Sequence, residues 1–299
     1  MNKKPLKKKK SSYFGTMINP EHFHKSQIKF YIILIPLLVV MMLPILFIVS
    51  HAFKPLDELY QYPPRFFPSR ITLDNFIQLV TATQQTGIPF GRYLFNSILV
   101  TALVIFLSLF LGSLAAYAFS FLNFKFKKWM FAANQIAIMF VAVAVAVPRY
   151  IVMTQFGIIN SFFAHIVPLI AMPVGVFLLK QFMDQIPREL YDAAKIDGAN
   201  KFQIYRMIVL PLVKPALATI AILAFQSAWN NTETSQLFIN DEALKTLPYY
   251  FQTLTLGTSS IAAQGISAAA SLIIFVPNIV LFIILQKNVM NTMAHSGLK

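Results

Sequence analysis

The sequence predicts an all-α membrane protein of six spanning helices, and three observations predict it. Of 299 residues, 57% are hydrophobic and 12% charged, too few charges to clothe a soluble domain of this size. The apolar residues gather into six runs, each near the roughly 20 residues an α-helix needs to cross a bilayer. Lysine and arginine fall between the runs and mostly on one set of alternate connections, the pattern of a chain threaded through a membrane.

Residues 1–28 form a basic tail, with Lys3, Lys4 and Lys7 to Lys10 ahead of Lys25. With so little apolar content it reads as disordered and cytoplasmic. The apolar run after it is longer than the h-region of a secretory leader, and no convincing small-residue cleavage site goes with it. The spans are expected at 29–50, 94–120, 129–152, 162–182, 208–229 and 265–287. Pro36 and Pro44 in the first and Pro168 and Pro173 in the fourth imply kinks, whose freed carbonyls need neighbouring helices or water. With the N-terminus inside, nineteen of the 25 Lys and Arg residues lie on the cytoplasmic side. Lys54, Arg65, Arg70, Arg92, Arg149 and Lys245 lie outside. Both termini are therefore expected in the cytoplasm. The two long outer segments, 51–93 and 230–264, lack the length and apolar content of separate domains. Residues 29–299 read as one transmembrane domain.

Several classes of function are excluded or disfavoured. The net charge of +14 is spread over connections rather than gathered into a nucleic-acid reader. There is no cysteine, and the five histidines are scattered, so neither a disulfide framework nor a metal site is spelled out. No cofactor is expected on this chain. A phosphate-cradling G-x-x-x-x-G-K-[ST] run is missing, so any ATP must act on another subunit. An intramembrane enzyme would need a nucleophile with a base, or an H-E-x-x-H run, and neither occurs. An ion-coupled transporter usually holds ionisable residues within its spans. Here only His165 and the end-placed Lys180 and Glu233 come near.

The stretch 185–215, QIPRELYDAAKIDGANKFQIYRMIVLPLVKP, is the least membrane-like long segment after the tail, and the charge pattern puts it in the cytoplasm. Pro187 suits a first helical position and RELYDAAKI a short helix. Asp197 and Gly198 supply a stop and a turn, and Asn200 a cap for the helix that follows. Pro211 and Pro215 bend the chain into the fifth span. Ala193 and Ala194 leave room for another protein to approach closely. Asp192 offers a carboxylate to a partner cation, though a surface pair with Arg188 explains it equally. Gly198 permits a turn that a Cβ would hinder. Such a peg would pass a partner's motion to spans four and five.

With Glu189, Asp192-Ala193-Ala194, Asp197-Gly198-Ala199, Ile208, Leu210-Pro211 and Lys214-Pro215 in place, this stretch resembles the EAA loop of ATP-binding-cassette (ABC) importer permeases. The carbohydrate-uptake branch with its maltose-type subunit is the nearest in pattern. Asn96-Ser97, the run Ala115 to Ser120, and Trp229-Asn230 resemble further motifs of that branch. Asp192 replaces the family's usual Glu, and Asn231-Thr232-Glu233 replaces its commoner continuation. The resemblance implies a type I importer permease fold with a cytoplasmic coupling helix, in a bacterial inner membrane. It also implies a second, non-identical permease, two ATPase subunits that hold ATP and Mg, an extracytoplasmic solute-binding protein, and a sugar or oligosaccharide as cargo. An ABC permease for a different solute is the main alternative.

Within the spans Asn96, Asn134, Gln135, His165, Gln226 and Asn230 are candidates to line a sugar path, because amides and imidazole meet hydroxyls as donor and acceptor. Asn278 belongs with them. Hydrogen bonding between helices explains each one singly as well. Trp229 is a candidate to stack on a sugar face or to sit at the interface belt. Arg149 and the outer Asp241, Glu242 and Lys245 read as headgroup and solvent contacts or as a receptor for a binding protein.

Overall fold

The computed structural model describes residues 27–81, 87–257 and 261–296. The basic tail up to residue 26 lies outside them, as do 82–86 in one outer segment and 258–260 in the other. Every regular element among the described residues is helical. The chain divides after Ile48 into two units. The first is most of α1 (Ile28–Ala52), an uninterrupted helix that contains both Pro36 and Pro44. Its side chains from Phe30 to Leu43 are almost all exposed and apolar, as a rod solvated by lipid or by another subunit must be.

The second unit continues from the end of α1 with a short helix α2 (Leu56–Leu59) and α3 (Asp74–Thr81), then α4 (Phe90–Phe121). At 32 residues, α4 is about 48 Å long, well beyond the roughly 30 Å hydrocarbon core. After it come α5 (Lys127–Met139) and α6 (Ala142–Gln155), then α7 (Phe163–Ile170) and α8 (Pro173–Met183). The helices α9 (Arg188–Ile196) and α10 (Lys201–Ile204) follow, then a wide π-type turn over Tyr205–Val209 and α11 (Leu210–Leu212). The unit closes with α12 (Lys214–Trp229), α13 (Glu233–Phe238), α14 (Leu247–Gly257) and α15 (Ile261–Ser296).

Among the described residues, three helices are long and apolar enough to cross a membrane: α1, α4 and Ala263–Gln286 within α15. Three bent pairs are further candidates, which makes up to six crossings. The bends correct the picture of straight spans. The expected span 129–152 is two helices at 118°, broken where Phe140 and Val141 are extended. Val141 opens an alternating Val-Ala run, and β-branched residues carry a helix poorly through such a point. In the fourth span the chain bends by 42° between α7 and α8, where Pro173 supplies the first helical residue of α8, the kink the sequence implies. The helix of the fifth span starts at Lys214 rather than 208, and the segment before it meets it at 81°. Pro215 sits in the first turn of α12, where its missing N–H costs nothing.

The core lies along α4, which packs on α8 and α12, and along the α12–α15 contact. One buried cluster gathers Tyr117, Leu179, Met183, Tyr191, Ile204 and Val209 at one end of α4, and another gathers Leu79, Tyr93, Leu247 and Tyr250 at the other. The described parts of the segments 51–93 and 230–264 are folded onto the helices. Asn75, buried, donates to the carbonyls of His51, Ala52 and Lys54. Gly265 of α15 lies so close that a Cβ there would sit 2.4 Å from Asn75 Oδ1.

Candidate functional site

The short helix α9 is two-faced. Tyr191 and Ala194 are buried, while Glu189, Asp192, Ala193 and Ile196 are exposed, Ile196 at 86%. This corrects the expectation of a matched Ala193-Ala194 docking pair: Ala194, three residues after Tyr191, faces the core, and Ala193 alone is open. Pro187 precedes the helix as its N-cap, so the first helical residue is Arg188. Asp192 lies 4.0 Å from Lys195 and does not pair with Arg188.

The stop after α9 is a Schellman turn. Gly198 has φ +83°, its N–H donates to Lys195 O at 3.0 Å, and Ala199 N–H donates to Ala194 O at 2.9 Å. Asn200 then caps α10 reciprocally with Gln203, through bonds of 2.9 and 2.8 Å. With both ends of the turn satisfied, the two helices keep a fixed angle without help from a partner.

The loop is fastened to α4 by aromatic side chains that sequence reasoning missed. Tyr191 stacks on Phe121 with ring centroids 5.0 Å apart, and Tyr117 lies 5.3 Å from Tyr205. Tyr117 Oη donates to Lys201 O at 2.9 Å, and the Ser113 and Tyr205 hydroxyls meet at 2.7 Å. The α9–α10 segment is therefore held against α4 as well as joined along the chain to α8 and α12. The available signal was Tyr191 and Ala194 at i, i+3, one apolar stripe on an otherwise polar helix.

The path candidates divide. Asn96 is buried and donates to the carbonyls of Ala243 and Lys245. His165 is fully buried between Thr234 Oγ1 at 2.8 Å and Leu244 O at 3.0 Å. Trp229 is buried, stacked on Phe225, and donates to Ile274 O. These three fasten helices and caps, and in this arrangement they face no open path. Asn134 donates to Pro173 O across the α5–α8 contact. Gln226, Asn230 and Gln135 are exposed, and Asn230 and Asn278 exchange amide bonds at 3.4 and 3.2 Å. Gln226, Asn230 and Asn278 bring α12 and α15 together in one polar stripe, with Gln135 apart on α5.

At the end of the unit away from α9, Arg149 pairs with Glu233 at 3.1 Å and so ties α6 to α13. Glu242 accepts from Tyr93 Oη and pairs with Lys245 at 2.7 Å. Burial pulls the Lys245 ammonium down, and the Glu242 carboxylate together with Tyr249 more than offsets it, holding Lys245 above its ordinary range. The segment 240–246 is thus a pinned cap on α4 rather than a free loop.

The unit is helical, with a short, exposed helix held at a fixed angle between two bent helix pairs. Residues 108–289 match the family of binding-protein-dependent transport system inner membrane components, and the chain belongs to that family. It is 31% identical to the arabinooligosaccharides transport system permease protein AraQ of Halalkalibacterium halodurans, over 86% of this chain and 90% of that protein. It is 33% identical to the sulfoquinovosyl glycerol transport system permease protein SmoH of Agrobacterium fabrum, over 88% and 90%. Among solved structures, a bacterial ABC transporter involved in the import of the acidic polysaccharide alginate has a chain of the same fold, with TM-score 0.76 and 21% identity, over 90% of this chain and 99% of that one.

Proposed function

We propose that this chain is one permease subunit of an ABC importer for a sugar or oligosaccharide, and that α9 is its coupling helix. The observation that carries the proposal is the two-faced α9: Tyr191 and Ala194 anchored on α4, and Glu189, Asp192, Ala193 and Ile196 presented to a partner. Asp197, Gly198 and Ala199 fix its exit, and Pro211 lies in the bent segment that leads into α12. The chain crosses the membrane six times with both termini in the cytoplasm, a topology supported by the lysine and arginine distribution. A second, non-identical permease completes the path, two ATPase subunits bind ATP and Mg and receive one peg from each permease, and an extracytoplasmic binding protein delivers the solute.

The carbohydrate assignment is supported by the Asn96-Ser97, Ala115 to Ser120 and Trp229-Asn230 motifs and by relatives named for oligosaccharide or glycoside transport. The exposed amides of Gln226 and Asn230 and the half-buried amide of Asn278 offer donors and acceptors to sugar hydroxyls. The test is to purify the tagged chain in mild detergent and identify what accompanies it. Co-purification of an ATPase and a second permease is expected, and their binding protein should gain thermal stability with an oligosaccharide. Consistent isolation without an ATPase across several detergents would contradict the assignment.

A further inference from the structure

A cavity of about 520 Å³ opens where α4 ends, α5 begins, α8 ends and α9 begins. Four cationic side chains line it, Lys127, Lys128, Lys180 and Arg188, against a single carboxylate, Asp184. That carboxylate is already engaged by Lys180 at 2.5 Å. Lys127 gives its ammonium to Ser120 O at 3.4 Å and Leu122 O at 2.9 Å, the carbonyls left open at the end of α4. It also feels the like charges of Arg188 and Lys180. No described carboxylate pairs with Lys128 or Arg188. A partly enclosed cleft with this surplus repels itself until an anion fills it.

Phe119, Phe121 and Phe131 are the aromatic side chains that line the cleft itself, and further apolar side chains lie open beside it in the chain. Phe126, Trp129 and Met130, on the same turn as Lys127 and Lys128, are exposed at 62%, 72% and 47%. Aromatic side chains interleaved with lysines mark the level where headgroups meet acyl chains, and a basic pocket between helices at that level suits an anionic lipid. Free phosphate would use the cations and leave those apolar side chains bare.

We propose that the cleft holds the phosphate headgroup of an anionic phospholipid of the cytoplasmic leaflet, with its acyl chains along Phe126, Trp129 and Met130. The proposal rests on the cytoplasmic placement of the α8–α9 connection given above. Because Arg188 opens the coupling helix and Lys128 lies in the first turn of α5, a bound headgroup ties the two together and steadies the base of α9.

The test is native mass spectrometry of the purified full chain after exchange into micelles doped with phosphatidylglycerol or phosphatidylcholine. Wild type should retain phosphatidylglycerol at least tenfold better. Lys128→Gln combined with Arg188→Gln should remove that preference, and Asp184→Asn should strengthen it. Lys245→Gln at the outer cap should change nothing. The opposite responses expected of the double variant and of Asp184→Asn separate a lost site from a misfolded protein. Equal retention of the two lipids, an equal loss in Lys245→Gln, or displacement of the lipid by 10 mM inorganic phosphate or by the copurified ATPase would overturn the proposal. Labelling of Asn200→Cys from outside the cell would sink the topology instead, while leaving lipid retention in micelles as measured.

Discussion

Replacing Gly198 by valine separates the conformation of the coupling turn from its packing. A Cβ at this position meets no atom within 4 Å, so the added side chain has room. The backbone is the obstacle: at φ +83° a residue with a Cβ loses about 1–2 kcal/mol, and a β-branched one sits at the upper end. At about 1.4 kcal/mol per tenfold, the turn's occupancy over relaxed forms falls roughly 5- to 30-fold. The Schellman bonds from Gly198 and Ala199 then open, and α9 loses its fixed angle to α10. Membrane insertion should be unaffected, because the turn is exposed and the anchoring Tyr191 and Ala194 stay buried. In proteoliposomes with the complete transporter, Gly198→Val should lower solute uptake per ATP hydrolysed several-fold at equal protein. Gly198→Asn, similar in size but tolerant of the left-handed region, should keep most of the coupling. Wild-type coupling in the valine variant, or equal loss in both, would refute the mechanical role of the turn.

Gly265→Ala should destabilise the protein by about 1–3 kcal/mol, since the new Cβ drives into Asn75, whose amide is held by three carbonyls; thermal unfolding in detergent measures it. His165→Leu fills the volume but strands the Leu244 carbonyl, and a loss of about 1–3 kcal/mol is expected in the same assay. Tyr117→Phe removes the bond to Lys201 O and should weaken coupling with little change in membrane insertion, read as uptake per ATP. Asn230→Ala with Asn278→Ala should raise the KM for solute more than it lowers the ATPase rate, which would mark these amides as path residues.

The sequence motifs and the structure meet in a way that neither pattern nor propensity alone indicates. The sequence marks Asn96 as a path candidate and Ser97 only as part of a motif; in the structure Asn96 holds the 243–245 cap and Ser97 accepts from Leu247 N–H. Tyr117, inside the run Ala115 to Ser120, holds the coupling loop. These two joints sit 21 residues apart on one helix, about 32 Å, so α4 links the 243–245 cap to the α9 segment over a length close to that of a bilayer's hydrocarbon core. Trp229 joins α12 to α15. The helical character, the peg with its glycine turn and the Asn200 cap were legible because local chemistry decides them. The bend after Met139, the burial of Ala194 and the withdrawal of Asn96, His165 and Trp229 from any open path were not. Those outcomes depend on which helix packs against which, and the periodicity of an apolar run does not state that when every face is apolar.

The most direct measurement uses the cysteine-free chain with one cysteine introduced at Ile196→Cys on the open face of α9, labelled in inside-out vesicles with a short photoactivatable maleimide. The coupling role predicts a cross-linked adduct with the ATP-binding subunit, changed in yield when nucleotide closes that subunit. Labelling from the outer face of intact cells, or a position reachable inside that yields no such adduct, would contradict it.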